Sequence, residues 1–187
     1  MAQRPTRSRR PARSLSELEA FTLGLVWQKG PCSPYEIRTT MRSSPSTQWS
    51  ASAGAIYPLM RRLEKMGLVD SRSARTGKRS RREYAITADG SAALREWIGP
   101  PFPAEAVTVT HDPLRTRARF LAAASPAQRR AWLKEARAAL DVVAQRVEEW
   151  DAEHGAKDPF LSVVSRNGVL ETAARKRWLG EIADLLT

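Results

Sequence analysis

Six basic side chains, Arg72, Arg75, Lys78, Arg79, Arg81 and Arg82, lie between positions 72 and 82 with no acid among them. The chemistry open to such a cluster is phosphate binding, because Lys and Arg that neutralise a polyanion release its condensed counterions. A second group lies just upstream. Tyr57, Arg61, Arg62 and Lys65 project from one side of a segment whose other side carries Ile56, Leu59, Met60, Leu63 and Met66. Those three- and four-residue steps predict an amphipathic helix with a basic, tyrosine-bearing face, a candidate reader of DNA.

Other chemistry is thinly supplied. The single cysteine, Cys32, excludes an intramolecular disulfide, and with only His111 and His154 beside it no Cys/His metal cluster is expected. Cys32 sits in a turn between Pro31 and Ser33, where a redox-active thiol is one reading. His111 beside Asp112 reads as a helix-capping neighbourhood without a nucleophile to activate, and His154 as a residue near a helix C-terminus. No Gly-rich phosphate loop or paired-carboxylate motif is present, so neither an enzyme nor a cofactor is expected. No apolar run approaches the roughly 20 residues of a membrane span, and residues 1–13 lack the apolar segment of a signal peptide, which predicts a cytoplasmic protein.

The distribution of charge supports a nucleic-acid partner. Of the net +11, residues 1–98 carry +10 (18 Lys/Arg against 8 Asp/Glu) and residues 99–187 carry +1 (13 against 12). A general need for solubility would not concentrate basicity in one half, whereas binding a polyanion would. Residues 1–13, with five Arg and no acid, read as a disordered basic tail able to follow phosphates or enter a minor groove.

The elements that must position these groups follow from local signals. Ser14 and Glu17 have capping-box spacing ahead of Leu15, Leu18, Phe21, Leu25 and Val26, and Gly30-Pro31 ends that helix. Ser33-Pro34-Tyr35-Glu36 starts a second helix to about Arg42. The third is expected to begin after a capping Ser50 or Ser52, to be irregular near Pro58, and to end at Gly67. Leu68 to Arg72 and Arg82 to Ile86 alternate weakly as strands and flank a basic loop, so they predict a hairpin. Thr87-Ala88-Asp89-Gly90 caps a further helix, and Gly99-Pro100-Pro101-Phe102-Pro103 marks a boundary.

Three helices, a two-stranded wing and a helix form a winged helix-turn-helix over residues 14–99, and nearly all of residues 15–98 resembles the PadR family of bacterial transcriptional regulators. The resemblance rests on Leu23-Gly24-Leu25, Pro34-Tyr35-Glu36-Ile37, Gly54-Ala55-Ile56-Tyr57-Pro58, Leu63-Glu64-Lys65-Met66-Gly67-Leu68-Val69, and Arg82-Glu83-Tyr84-Ala85-Ile86-Thr87 with Gly90. It implies DNA contact from Ser52, Gly54, Tyr57 and Arg61 at the start of the third helix, together with Tyr35 and the wing residues Arg75, Lys78, Arg79 and Arg81. Two positions depart from the family pattern. Ala55 stands where Ser or Thr is usual, which removes one hydroxyl, and Ala53 where Pro is common.

Residues 104–187 read as helices. Asp112-Pro113 and Ser125-Pro126 start two of them, and Leu133, Ala136, Leu140, Val143, Val147 and Trp150 form a heptad seam that needs a facing helix. That partner is either a neighbour in the same chain or, better suited to so long a helix, a second copy. Asp158-Pro159 opens the last segment, with Leu170, Ala174, Trp178, Ile182 and Leu185 at helical spacing and a Gly168 that could bend it. Asp112-Pro113-Leu114-Arg115 and residues 170–179 resemble the C-terminal domain of longer PadR relatives, which makes the homodimer there. Trp132, Trp150 and Trp178 are candidates for an effector pocket, since some relatives hold flat ligands with aromatics.

The fold class expected is therefore mainly α: a winged helix-turn-helix followed by a helical dimerisation domain. The function expected is a homodimeric repressor that binds a palindromic double-stranded operator and is relieved by a small-molecule effector. A non-specific architectural DNA binder and a protein-interaction winged helix are the alternatives.

Overall fold

In the computed structural model, which describes residues 14–76, 79–155 and 158–186, the first helix, α1 (Glu17–Lys29), is capped by Ser16 rather than Ser14. Both serines have an acid three residues on. The Ser16 register wins because it places Glu19 in the interior, where its carboxylate accepts from the Ser16 amide (2.8 Å) and hydroxyl (2.9 Å) and meets Arg62 at 2.9 Å. A buried carboxylate needs such partners to offset its desolvation. The second helix, α2 (Pro34–Ser43), starts as expected, with Ser33 and Glu36 in a reciprocal capping box and Pro34 in the first turn.

The third helix is two helices. α3 (Thr47–Ser52) is followed by a 3-10 turn over Ala53–Ala55 and then by α4 (Ile56–Lys65). Ser50 and Ser52 therefore cap nothing; their hydroxyls donate one turn back, to Ser46 O (3.1 Å) and Gln48 O (2.7 Å). Pro58 explains the break, since it has no amide to donate and its ring would crowd the Gly54 carbonyl in a continuous α-helix. Gly67, at φ 75°, takes the left-handed turn that ends α4.

Strands β1 (Val69–Thr76) and β2 (Arg79–Ile86) pair antiparallel from Val69↔Ile86 to Thr76↔Arg79. They are longer than their apolar alternation suggests. Backbone pairing continues through the polar stretch, so much of the predicted loop is strand. At the base of the hairpin, Cys32 and Tyr84 exchange both backbone hydrogen bonds (3.0 and 2.8 Å), which fastens the turn between α1 and α2 to β2. Thr87 caps α5 (Ala88–Ile98) by accepting from the Gly90 amide at 2.9 Å. Gly90 is required there, because a Cβ would lie 2.0 Å from the Leu68 carbonyl oxygen.

The core of this unit is built from Leu23, Val26, Ile37, Met41, Ile56, Met60, Leu63 and Val69, all fully buried. Phe21 and Trp49 stack at 4.0 Å and anchor α3 on α1.

Contacts divide the chain between Pro103 and Ala104. The second unit contains α6 (Pro113–Ala118), capped by Asp112, and two long helices, α7 (Pro126–His154) and α8 (Pro159–Asp184). α7 and α8 pack as an antiparallel hairpin, and the facing helix that the heptad seam calls for is α8 of the same chain. Ala136 and Leu140 cluster with Leu179 and Ile182, with Leu133, Trp132 and Trp178 packed on the edge. Gly168 brings the pair close, since a Cβ there would meet Val147 at 3.1 Å, and α8 runs unbroken through it. Arg175 on α8 holds Asp112 at 3.0 Å. Burial alone would raise the Asp112 carboxyl, but the amides of Arg115 and Leu114, with Arg175, hold it below its ordinary value of 3.8.

Candidate nucleic-acid interface

The apolar stripe of α4 turns Ile56, Leu59, Met60 and Leu63 into the core and leaves Tyr57, Arg61, Arg62 and Lys65 on the outer face. Tyr57 and Arg61 line an open groove of about 310 Å³ with Ser33, Pro34 and Tyr35 at the start of α2 and with Arg82 and Tyr84 of β2. Tyr35, 65% exposed, stands at the groove's edge and also borders a second hollow with Arg38, Thr39 and Arg42. Three elements thus present two exposed tyrosines, Tyr35 and Tyr57, and several guanidinium groups on one surface, with the buried Tyr84 beneath. Phenol and guanidinium groups donate to phosphate oxygens and to base-edge acceptors, so this surface has the chemistry of a DNA contact.

The structure brings together Tyr35, Tyr57 and Arg61 of the expected site. It does not bring Ser52 into the groove, since that hydroxyl is turned onto Gln48, and Gly54 lies exposed in the 3-10 turn. Arg75 and Arg79 belong to the paired strands near the tip of the hairpin. Their side chains, and all of Lys78, lie outside the described residues.

The wing's charge also has counterparts that no acid-free stretch reveals. Arg81 donates to Glu83 from Nε (3.0 Å) and Nη2 (2.6 Å), and Arg72 reaches the other oxygen of Glu83 at 3.4 Å. Arg82 meets Glu64 at 3.2 Å. These guanidinium groups keep 45% to 69% of their side-chain surface, so they remain open to a second anion. Arg38 and Arg42 are candidate site residues that sequence reasoning does not single out, and Arg82, counted there only as one of the six wing charges, lines the groove itself. For α2 the signal is there: Tyr35, Arg38, Thr39 and Arg42 recur at helical spacing.

Residues 23–96 match the model of the transcriptional regulator PadR-like family. The chain is 31% identical over 82 residues to the negative transcriptional regulator PadR of Bacillus subtilis, a match covering 43% of this chain and 44% of that protein. The winged unit of this chain is thus similar to PadR-like regulators. Among solved structures, Bacillus subtilis PadR in complex with operator DNA superimposes at a TM-score of 0.76 and 20% identity, over 91% of this chain and 99% of that one. The same regulator in complex with p-coumaric acid gives 0.73 at 20% identity, over 90% and 94%. At that identity the likeness establishes the fold, here across both units. In sequence the chain spans under half the length of the regulator it matches.

The C-terminal residues are distributed differently from expectation. Of Leu133, Leu140, Val147, Trp178 and Ile182, expected as dimerisation residues, Leu140, Val147 and Ile182 are buried within the chain and Leu133 and Trp178 partly so; of the two partners left open for the seam, α8 of the same chain covers it first. Val143 and Leu185 are exposed, at 48% and 84%. Trp132 and Trp178 share the edge of one cluster, but Trp150 stacks on His154 (4.5 Å) near the far end of α7. At 1.5 Å per residue it lies about 27 Å along the helix from Trp132, so within one chain the three do not share a pocket. Cys32 is buried, and its thiol is pushed up to about 11, first by burial and then by Glu36, with Glu83 adding to it and Lys29 opposing. That keeps it a poor redox nucleophile.

Proposed function

We propose that this chain is a DNA-binding transcriptional regulator that acts as a homodimer, represses by occupying a palindromic operator, and releases it when an effector binds. The observation that carries this reading is the shared surface of Tyr35, Tyr57, Arg61 and Arg82, in a family of transcriptional regulators. On this reading the protein is not an enzyme, and a chromosomal target implies a cytoplasmic protein. A two-fold dimer would set two reading helices on half-sites about 34 Å apart. Support for self-association comes from Phe160, Val163, Val164 and Leu170, an apolar stripe on α8 that one chain leaves exposed. Support for a flat ligand comes from Trp132 and Trp178 at the hairpin edge. Since the Bacillus subtilis regulator is solved with p-coumaric acid, that compound is the first probe to titrate against tryptophan fluorescence.

The decisive test is to retain genomic fragments on the protein and titrate the best of them against random DNA at several salt concentrations. One fragment bound well above random, with affinity falling steeply as salt rises, is the expected result. Equal binding of all fragments would favour an architectural DNA binder, and no binding would end the DNA reading. Tyr57→Ala should cost more on the selected fragment than on random DNA.

A further inference from the structure

We infer that Glu64 is a positioning residue for DNA recognition, holding Arg82 of the wing to the reading helix so that the two elements present one fixed surface. The inference rests on the DNA-binding reading above. Tyr57, Arg61 and Glu64 follow one another at four- and three-residue steps, so they share one face of α4. An acid on a stripe that meets phosphates would ordinarily repel them. Here the carboxylate is occupied: its Oε1 accepts from the Ser71 hydroxyl and from Arg82 Nη2 (3.2 Å), while Arg82 Nε donates to Ser71 Oγ at 2.7 Å. The three groups close a ring joining α4, β1 and β2.

That ring fixes a side chain that would otherwise sample many rotamers. Arg82 also lies over the Tyr84 ring, with its guanidinium carbon 5.8 Å from the centroid. It keeps 57% of its side chain exposed and lines the same groove as Tyr57 and Arg61. A guanidinium oriented before binding loses less freedom in contacting DNA, which favours the one geometry it is set for over the many geometries of random sequence. Glu64 thereby trades some general attraction to DNA for discrimination.

The test is to measure operator and random-DNA affinity for the full chain and its variants. Glu64→Gln removes the charge and keeps the shape. It should tighten random-DNA binding by about threefold and lower the operator-to-random ratio by about tenfold. Arg82→Gln should lower the ratio similarly, but with weaker random-DNA binding and a salt slope reduced by about one. Because the two residues act as a pair, the double variant should lose no more of the ratio than Arg82→Gln alone. A ratio unmoved by Glu64→Gln, a parallel fall in both affinities, or additive losses would overturn the inference. If Glu64→Gln shifts the melting temperature, Ser71→Ala opens the same ring with the charge kept, so the ratio should fall while random-DNA binding stays unchanged, and an unmoved ratio in both variants overturns the inference. Wild-type protein that binds no DNA would defeat the functional reading, whereas wild-type binding with an unmoved ratio defeats only the role of Glu64.

Discussion

The two units of this chain solve burial in opposite ways. The winged unit closes a core of fully buried side chains and stitches its edges with polar clasps: Glu19 to Arg62, Cys32 to Tyr84, Thr87 to Gly90. The helical unit buries a thin line between α7 and α8 and leaves Phe160, Val163, Val164 and Leu170 in solvent. A two-helix hairpin has only one inner face, so apolar residues on its outer faces have nothing in the same chain to cover them. The difference teaches that the winged unit covers its core side chains within the chain, whereas the hairpin leaves apolar surface that the proposed second copy would cover.

The contrast breaks first at Gly90. A Cβ there collides with backbone, so Gly90→Ala should cost the winged unit about 3 kcal/mol in thermal unfolding. The hairpin's transition should not move with it. In the hairpin, Leu140→Ala should cost about 2–3 kcal/mol by opening a cavity against α8. An effect of that size in dilute, monomeric protein would show that Leu140 works within one chain. Phe160→Asp sharpens the comparison from the other side. It should leave the helix content and the winged unit's melting unchanged while light scattering reports monomer; a dimer of undiminished strength would place the contact elsewhere.

The smallest effect expected is at the clasp of α2. Ser33→Ala should cost about 1 kcal/mol. The Ser33 hydroxyl, and then its amide, hold the Glu36 carboxyl below its ordinary value of 4.5. The stability Glu36 adds is therefore complete above about pH 4.5 and is lost as pH falls through the lower folded-state value. Acid titration of wild type and Ser33→Ala by circular dichroism should show their stabilities converging at low pH.

Much of the winged fold is legible in the sequence because its helices carry their own signals: Ser33-Pro34 and Thr87 start two of them, Gly67 ends α4, and Pro58 announces the irregular entry to α4. Where signals are duplicated, tertiary context decides. Ser14 and Ser16 offer equivalent caps, and only the burial of Glu19 separates them. The ion pairs of the wing are hidden for another reason. Glu64 and Arg82 meet through strand register and helix placement, which no count of charges between positions 72 and 82 contains. The heptad of α7 predicts that a helix faces it but says nothing of which chain supplies that helix. Tyr35, Tyr57 and Arg61 are readable because they lie off apolar stripes, whereas Ser52 misleads because a hydroxyl inside a helix prefers the carbonyl behind it.

The 3-10 turn over Ala53–Ala55 has one further consequence. α3 is pinned to α1 by the stack of Trp49 on Phe21, while α4 is pinned by its own apolar stripe, so the turn between them is suspended from two independent anchors. Replacing Trp49 with a smaller aromatic would loosen α3 and the turn that leads into α4, while Ile56 and the rest of the apolar stripe keep α4 seated on the core. On the proposed DNA-binding reading, substitutions at Trp49 would then alter the approach to Tyr57 without any change among the residues that line the groove.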